Sequence, residues 1–137
     1  KKFFRNNYFD ENIFLYLEEI DLCKRVKNES GRILLVNVPI VHFGALSHGD
    51  RSNLEMEKSR NWHWMWSKFY YQKKHYGYFM GLWSTFPNFL SSLLKYTLYS
   101  FTKNNNKKSI YKMRFFGLLN SYLLKKSSHR PNLEKAK

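Results

Sequence analysis

The stretch Phe9 to Arg25 reads FDENIFLYLEEIDLCKR. It places Asp10, Glu11, Glu18, Glu19 and Asp21, five of the chain's ten carboxylates, inside an otherwise aromatic and aliphatic run. An ionised group among apolar neighbours is costly unless it is paired or chemically employed, so the stretch has the makings of a site. Phe14 and Tyr16 alternate with Leu15 and Leu17 at the period of a short strand. Ile20, Leu22, Cys23 and Val26, set among Lys24, Arg25 and Lys27, predict a helix that begins at the acidic pair. Carboxylates therefore gather where a strand gives way to a helix, and in an open α/β sheet ligands bind at the carboxyl ends of strands. A plainer reading has Glu18, Glu19 and Asp21 complementing the positive end of the helix dipole and pairing with Lys24 and Arg25.

Working outward, Asn28-Glu29-Ser30-Gly31 stops that helix, with Gly31 suited to a left-handed cap. Arg32 to Val36 is rich in Ile, Leu and Val, and Val38 to Val41 continues extended into His42, so a second strand is expected. One cysteine, Cys23, excludes an internal disulfide framework and a C-x-x-C zinc site. On the inner face of the helix it reads as a packed core thiol. The 137 residues, 43% hydrophobic and 19% aromatic, suffice for one modest folded domain. The expected class is α/β.

Charge divides the chain. Residues 1–50 hold seven Lys/Arg and seven Asp/Glu, whereas residues 51–137 hold seventeen Lys/Arg and three Glu, so the whole excess of +14 lies in the second part. A basic part of this kind seeks a polyanion, either nucleic acid or anionic lipid. Ser52 to Glu55 has capping-box spacing, and Leu54, Trp62, Met65, Trp66, Phe69 and Tyr76 form a helical stripe that Gly77 ends. Tyr78 to Phe101 carries one charge in twenty-four residues. Leu82, Phe86, Phe89, Leu90, Leu93, Leu94, Leu98 and Phe101 are expected on one face, with Ser84, Asn88, Ser91, Ser92 and Lys95 elsewhere. That pattern favours a helix lying in the membrane interface over one crossing the bilayer or packing on the protein. Pro87 is expected to bend or start it. Thr102 to Ser109 reads as a polar linker and Ile110 to Leu124 as a last helix, with Met113, Phe116, Leu119, Leu123 and Leu124 opposite Lys112, Arg114 and Asn120.

Phe9-Asp10-Glu11, then Phe14, Tyr16, Glu18-Glu19, Asp21-Leu22 and Arg25 resemble the F-D-E-x-x-F-x-Y-x-E-[D/E]-x-D-L-x-x-R signature of family 2 inverting glycosyltransferases, in their rhamnosyltransferase-like branch. GRILLVNVPIVHFGALS from Gly31 to Ser47, KSRNWHWMWSKFYYQKKHYG from Lys58 to Gly77 and the tail elements R-x-x-G-L (Arg114 to Leu118) and S-S-x-R-P (Ser127 to Pro131) are similar to the same branch, in order. The resemblance implies a nucleotide-sugar-binding GT-A fold for residues 1–77 and a basic amphipathic helical tail for residues 78–137. It implies Glu19 as the catalytic base with Glu18 beside it, Asp21 and Arg60 supporting the acceptor side, and His42 as a ligand of a divalent Mg2+ or Mn2+ ion on the donor pyrophosphate. The family's Asp-x-Asp metal motif is not among these residues. The donor-binding half is therefore expected upstream of Lys1, and this piece alone is expected to be inactive.

The expectation is the C-terminal portion of a glycosyltransferase, peripheral on the cytoplasmic face of the cell membrane. Its partners would be a nucleotide-sugar donor, a polysaccharide or lipid-linked glycan acceptor and an anionic membrane surface, with no nucleic acid. Two alternatives belong to other classes. A basic nucleic-acid-binding module accounts for the charge but leaves the acidic cluster unexplained. A non-catalytic membrane-surface anchor leaves out the chemistry.

Overall fold

Trp62, Met65, Trp66 and Phe69 recur at the i, i+3, i+4, i+7 spacing of one helix face, and all four are buried. The computed structural model describes residues 8–41 and 50–131, including all their side chains except those of 50–53. These described residues form four helices, α1 (Glu18–Asn28), α2 (Asp50–Tyr76), α3 (Tyr78–Ser100) and α4 (Asn105–Tyr122). Helices α2, α3 and α4 pack on one another pairwise. Met65, Phe69 and Leu118 form the core, with Leu82, Phe89 and Tyr122 packed against it.

The directions of the helices follow from their contacts. Trp62 faces Gly117, Ser121 Oγ donates to the Trp66 carbonyl at 3.0 Å, and Trp66 Nε1 donates to the Lys125 carbonyl at 2.9 Å, so α2 and α4 run parallel. Helix α3 runs against both, from Gly81 beside Phe69 to Asn88, whose Oδ1 accepts from Lys68 Nζ at 3.3 Å. The end of α2, the start of α3 and the end of α4 thus share one end of the bundle. Gly77 alone connects α2 to α3, at φ +90°, a conformation that L side chains rarely adopt. At Gly117 the backbones of α4 and α2 approach so closely that a Cβ would stand 3.2 Å from Trp62 Cα and closer still to its carbonyl.

The expected α/β class is corrected: among the described residues there is no strand, and the architecture is all-α rather than a GT-A sheet. Tyr16 and Leu17 lie at φ 68° and 70°, left-handed values incompatible with the short strand expected at Phe14 to Leu17. That segment follows α2 instead. Ser67 Oγ donates to the Leu15 carbonyl at 2.9 Å, Tyr16 meets Trp64 edge-on at 5.4 Å, and Phe14 lies 4.8 Å from the His63 ring. Residues 32–41 have strand composition but no regular structure, and Leu35 is 102% exposed. A strand needs a neighbour for its backbone and side chains, and no described segment supplies one.

Smaller corrections have equally local causes. Helix α1 buries Asp21, leaving Ile20 and Cys23 exposed, so Cys23 is not a core thiol. Its end is a Schellman motif in which Ser30, not Gly31, takes the left-handed position at φ 60°. The Ser30 N–H reaches the Lys27 carbonyl and the Gly31 N–H reaches that of Val26 at 2.8 Å. Helix α4 starts at Asn105 rather than Ile110, because Asn104 within the supposed linker accepts the Lys107 N–H at 3.1 Å as a cap. Helix α4 buries Gly117, Leu118 and Ser121, leaving Phe116, Leu123 and Leu124 exposed.

Candidate functional site

The acidic stretch is organised by a turn and a helix. Asp10 opens the turn: Ile13 N–H bonds its carbonyl at 2.9 Å, while its Oδ1 accepts from the Asn12 backbone at 3.0 Å and from Asn12 Nδ2 at 2.9 Å. Asp10 Oδ2 accepts from Lys74 Nζ at 2.7 Å and from the Tyr70 hydroxyl at 3.0 Å. Lys74 also bridges Asp21, 2.8 Å from Oδ1 and 2.9 Å from Oδ2. Asp21, fully buried, accepts further from His75 Nε2 at 2.8 Å and Arg25 Nε at 2.9 Å. Arg25 Nη2 also donates to the Tyr8 carbonyl. Burial alone would raise both carboxyl pKa values. The donors outweigh it, holding Asp10 at about 2 and Asp21 below its ordinary value. Tyr70, half-buried and bonded to the Asp10 carboxylate, is pushed up to about 12.

The residues predicted as site members separate. Asp21 is the buried centre of an ion network joining α1 to the end of α2. Glu19 is exposed and has no ion-pair partner among the described residues. Glu18 is half-buried, and its Oε2 is shielded from solvent without a hydrogen-bond donor. Arg60, with Tyr16, Asn61 and Trp64, lines an open recess of about 240 Å³. Arg60 and Lys74 lie fourteen residues apart on α2, roughly 21 Å of helix rise, so Arg60 and Asp21 do not act on one point. His42 lies outside the described residues. Among the described residues no three His, Cys, Asp or Glu side chains come together as a metal ion requires.

Sequence reasoning missed a second cluster. His63 is fully buried on α2, its Nδ1 2.9 Å from Ser127 Oγ and its Nε2 2.9 Å from the His129 carbonyl. A carbonyl only accepts, so Nε2 carries the proton and Nδ1 accepts from the serine. The His129 ring stacks on Trp62 at 5.5 Å, and the Arg130 guanidinium lies 3.7 Å over the Phe14 ring. The S-S-x-R-P element therefore works as a clasp, laying Ser127, His129 and Arg130 over the aromatic face of α2 and the loop before α1. Burial, opposed by the bond to the His129 carbonyl and reinforced by the Arg130 charge, lowers the His63 pKa to about 4.

Helix α3 reverses the ordinary distribution of side chains. Its packed face holds Gly81, Thr85 and Ser92. Thr85 Oγ1 donates to the Gly81 carbonyl at 2.7 Å and is 3.0 Å from the Tyr122 hydroxyl; Ser92 Oγ donates to the Asn88 carbonyl at 2.6 Å. Outward stand Phe79 (85% exposed), Trp83 (81%), Phe86, Leu90, Leu94, Leu98 and Phe101 (90%), at spacings of three and four along one face. The expected apolar face is thus divided: Leu82 and Phe89 pack on the core, and the remainder of the outward set faces away. No helix of the described residues is long and apolar enough to cross a membrane. From Lys58 to Leu133 the sequence contains no Asp or Glu among its many lysines and arginines, so the cations around α3 have no carboxylate on α3 or α4 to pair with. Aromatic faces hold some of them: Lys95 Nζ lies 5.2 Å over Tyr111, and Lys107 Nζ 5.6 Å over Tyr99.

No protein-family model matches the chain, and no curated protein or solved structure is significantly similar to it.

Proposed function

We propose that this chain is the membrane-facing C-terminal portion of an inverting glycosyltransferase, peripheral on the cytoplasmic face of the cell membrane. It would serve transfer from a nucleotide-sugar donor to a polysaccharide or lipid-linked glycan acceptor. The observation that carries the reading is the outward row from Phe79 to Phe101 on α3, which packs its small and hydroxylated residues inward. Exposed apolar patches of this extent mark interaction surfaces, and burying a large apolar side chain contributes about 2 kcal/mol. The surrounding cations, without carboxylates of their own, suit anionic headgroups.

The catalytic part rests on the resemblance of the Phe9 to Arg25 motif. Exposed Glu19 accepts the acceptor hydroxyl proton as that oxygen bonds the anomeric carbon from the face opposite the departing nucleoside diphosphate, inverting the centre. The network around Asp21 holds α1, and hence Glu18 and Glu19, against α2. A divalent ion with His42 as ligand belongs to the same proposal; the described residues supply no ligand set of their own.

Vesicle sedimentation tests the reading. The chain is expected to sediment with anionic vesicles, and Leu90→Asp with Leu94→Asp is expected to release it even at low salt. Binding to nucleic acid would survive those replacements and fall steeply with salt. Vesicle binding unaffected by the double replacement would contradict the proposal.

A further inference from the structure

Between α2 and the end of α4 lies a cavity of about 260 Å³, bordered by Asn12, Trp66, Tyr70, Lys73, Lys125 and Lys126. Among its described lining residues three are cations and none is a carboxylate. The Tyr70 hydroxyl is committed to Asp10, and Lys73 Nζ rests 5.5 Å over the Tyr70 ring rather than on an anion. The turn carrying the other two lysines is fixed. Leu124, at φ 57°, closes a Schellman motif in which the Lys125 N–H bonds the Asn120 carbonyl at 2.9 Å, and Trp66 Nε1 holds the Lys125 carbonyl. A cavity so lined recognises an anion.

We infer that this cavity binds the phosphomonoester headgroup of an anionic membrane lipid, an inference that rests on the membrane reading above. The apolar setting selects a lipid over a free anion. Leu123 and Leu124, both exposed, immediately precede Lys125 and Lys126, and Leu124 lines the cavity itself. The Tyr78 hydroxyl donates to the Tyr122 carbonyl at 3.0 Å, which fixes the start of α3, with outward Phe79 and Trp83, at this end of the bundle. A phosphate seated among the lysines would leave its acyl chains beside exposed apolar side chains.

The experiment titrates the whole chain by calorimetry with a short-chain, water-soluble phosphatidic acid, the matching phosphatidylcholine and inorganic phosphate. Because no vesicle is involved, failure of the cavity and failure of the α3 reading register separately. The variant combines Lys73→Gln, Lys125→Gln and Lys126→Gln; its control combines Lys103→Gln, Lys107→Gln and Lys108→Gln, an equal charge change at the other end of the bundle. Circular dichroism melts confirm that both fold. Phosphatidic acid affinity is expected to fall at least about tenfold in the cavity variant, the equivalent of one charge-assisted hydrogen bond, and to change little in the control. Equal losses in the two variants, or phosphate or phosphatidylcholine binding as tightly as phosphatidic acid, would overturn the inference.

Discussion

Lys74 Nζ stands 2.8 Å from Asp21 Oδ1, joining the first turns of α1 to the last turn of α2 through a carboxylate that has no exposure to solvent. The same ammonium reaches Asp10 at 2.7 Å, so one side chain holds both the turn before α1 and the helix itself. Asp21 is therefore a fixed strut, in contrast to exposed Glu19 two residues earlier.

Asp21→Asn leaves Lys74, His75 and Arg25 facing a neutral amide, and breaking a buried pair from one side costs about 3 kcal/mol. Denaturant unfolding should show that loss. Glu19→Gln should alter stability by no more than about 0.5 kcal/mol, while under the proposed glycosyltransferase function it should lower turnover of the longer protein roughly 100- to 10,000-fold. Equal stability losses in the two variants would remove the distinction between strut and base.

The part legible in the sequence was the part governed by helical spacing. Trp62, Met65, Trp66 and Phe69 announced the buried face of α2, and Gly77 its end. Leu15 and residues 32–41 misled because strand composition says nothing of whether a partner strand is present; here the Leu15 backbone is taken by Ser67 of α2 instead. Partners distant in sequence were equally hidden. Asp10 and Asp21 signalled that cations must lie near, but only folding selects Lys74 and His75. The apolar residues of α3 read as one face, but folding divides them: Leu82 and Phe89 turn to the core, and Phe79 and Trp83 join the outward row. Gly81, Thr85 and Ser92, the small positions at helical spacing, carried that information.

Gly117 records the closest approach of α4 to α2. Gly117→Ala drives a methyl group into the Trp62 carbonyl, and the helices must separate, costing about 2 kcal/mol or more. Gly77→Ala meets open space, but φ +90° with ψ 164° is a conformation essentially reserved to glycine, so it costs about 1–3 kcal/mol in backbone strain. Thermal unfolding of Gly117→Ala should show that loss; a variant as stable as the unaltered chain would refute the close crossing.

The clasp at His63 makes the fold acid-sensitive. Its folded pKa, about 4, lies below the ordinary 6.5, so the folded chain keeps it neutral where the unfolded chain is protonated. The stability it contributes, on the order of 3 kcal/mol, is present above pH 6.5 and lost as pH falls through 4. Asp10 acts at lower pH: its contribution is present above about 4 and lost toward about 2. In His63→Gln, which stays neutral throughout, the decline in melting temperature between pH 6.5 and 4 should be shallower. An unchanged slope would assign the sensitivity elsewhere.

Trp83 reports directly on the orientation of α3. Trp83 is 81% exposed in the outward row, whereas Trp62 and Trp66 are buried in the bundle and Trp64 packs beside Tyr16. With anionic vesicles carrying a nitroxide-labelled lipid, tryptophan emission should be blue-shifted and quenched, and Trp83→Phe should abolish both changes. Quenching that persists in Trp83→Phe, or its absence from the unaltered chain, would contradict a membrane-facing α3.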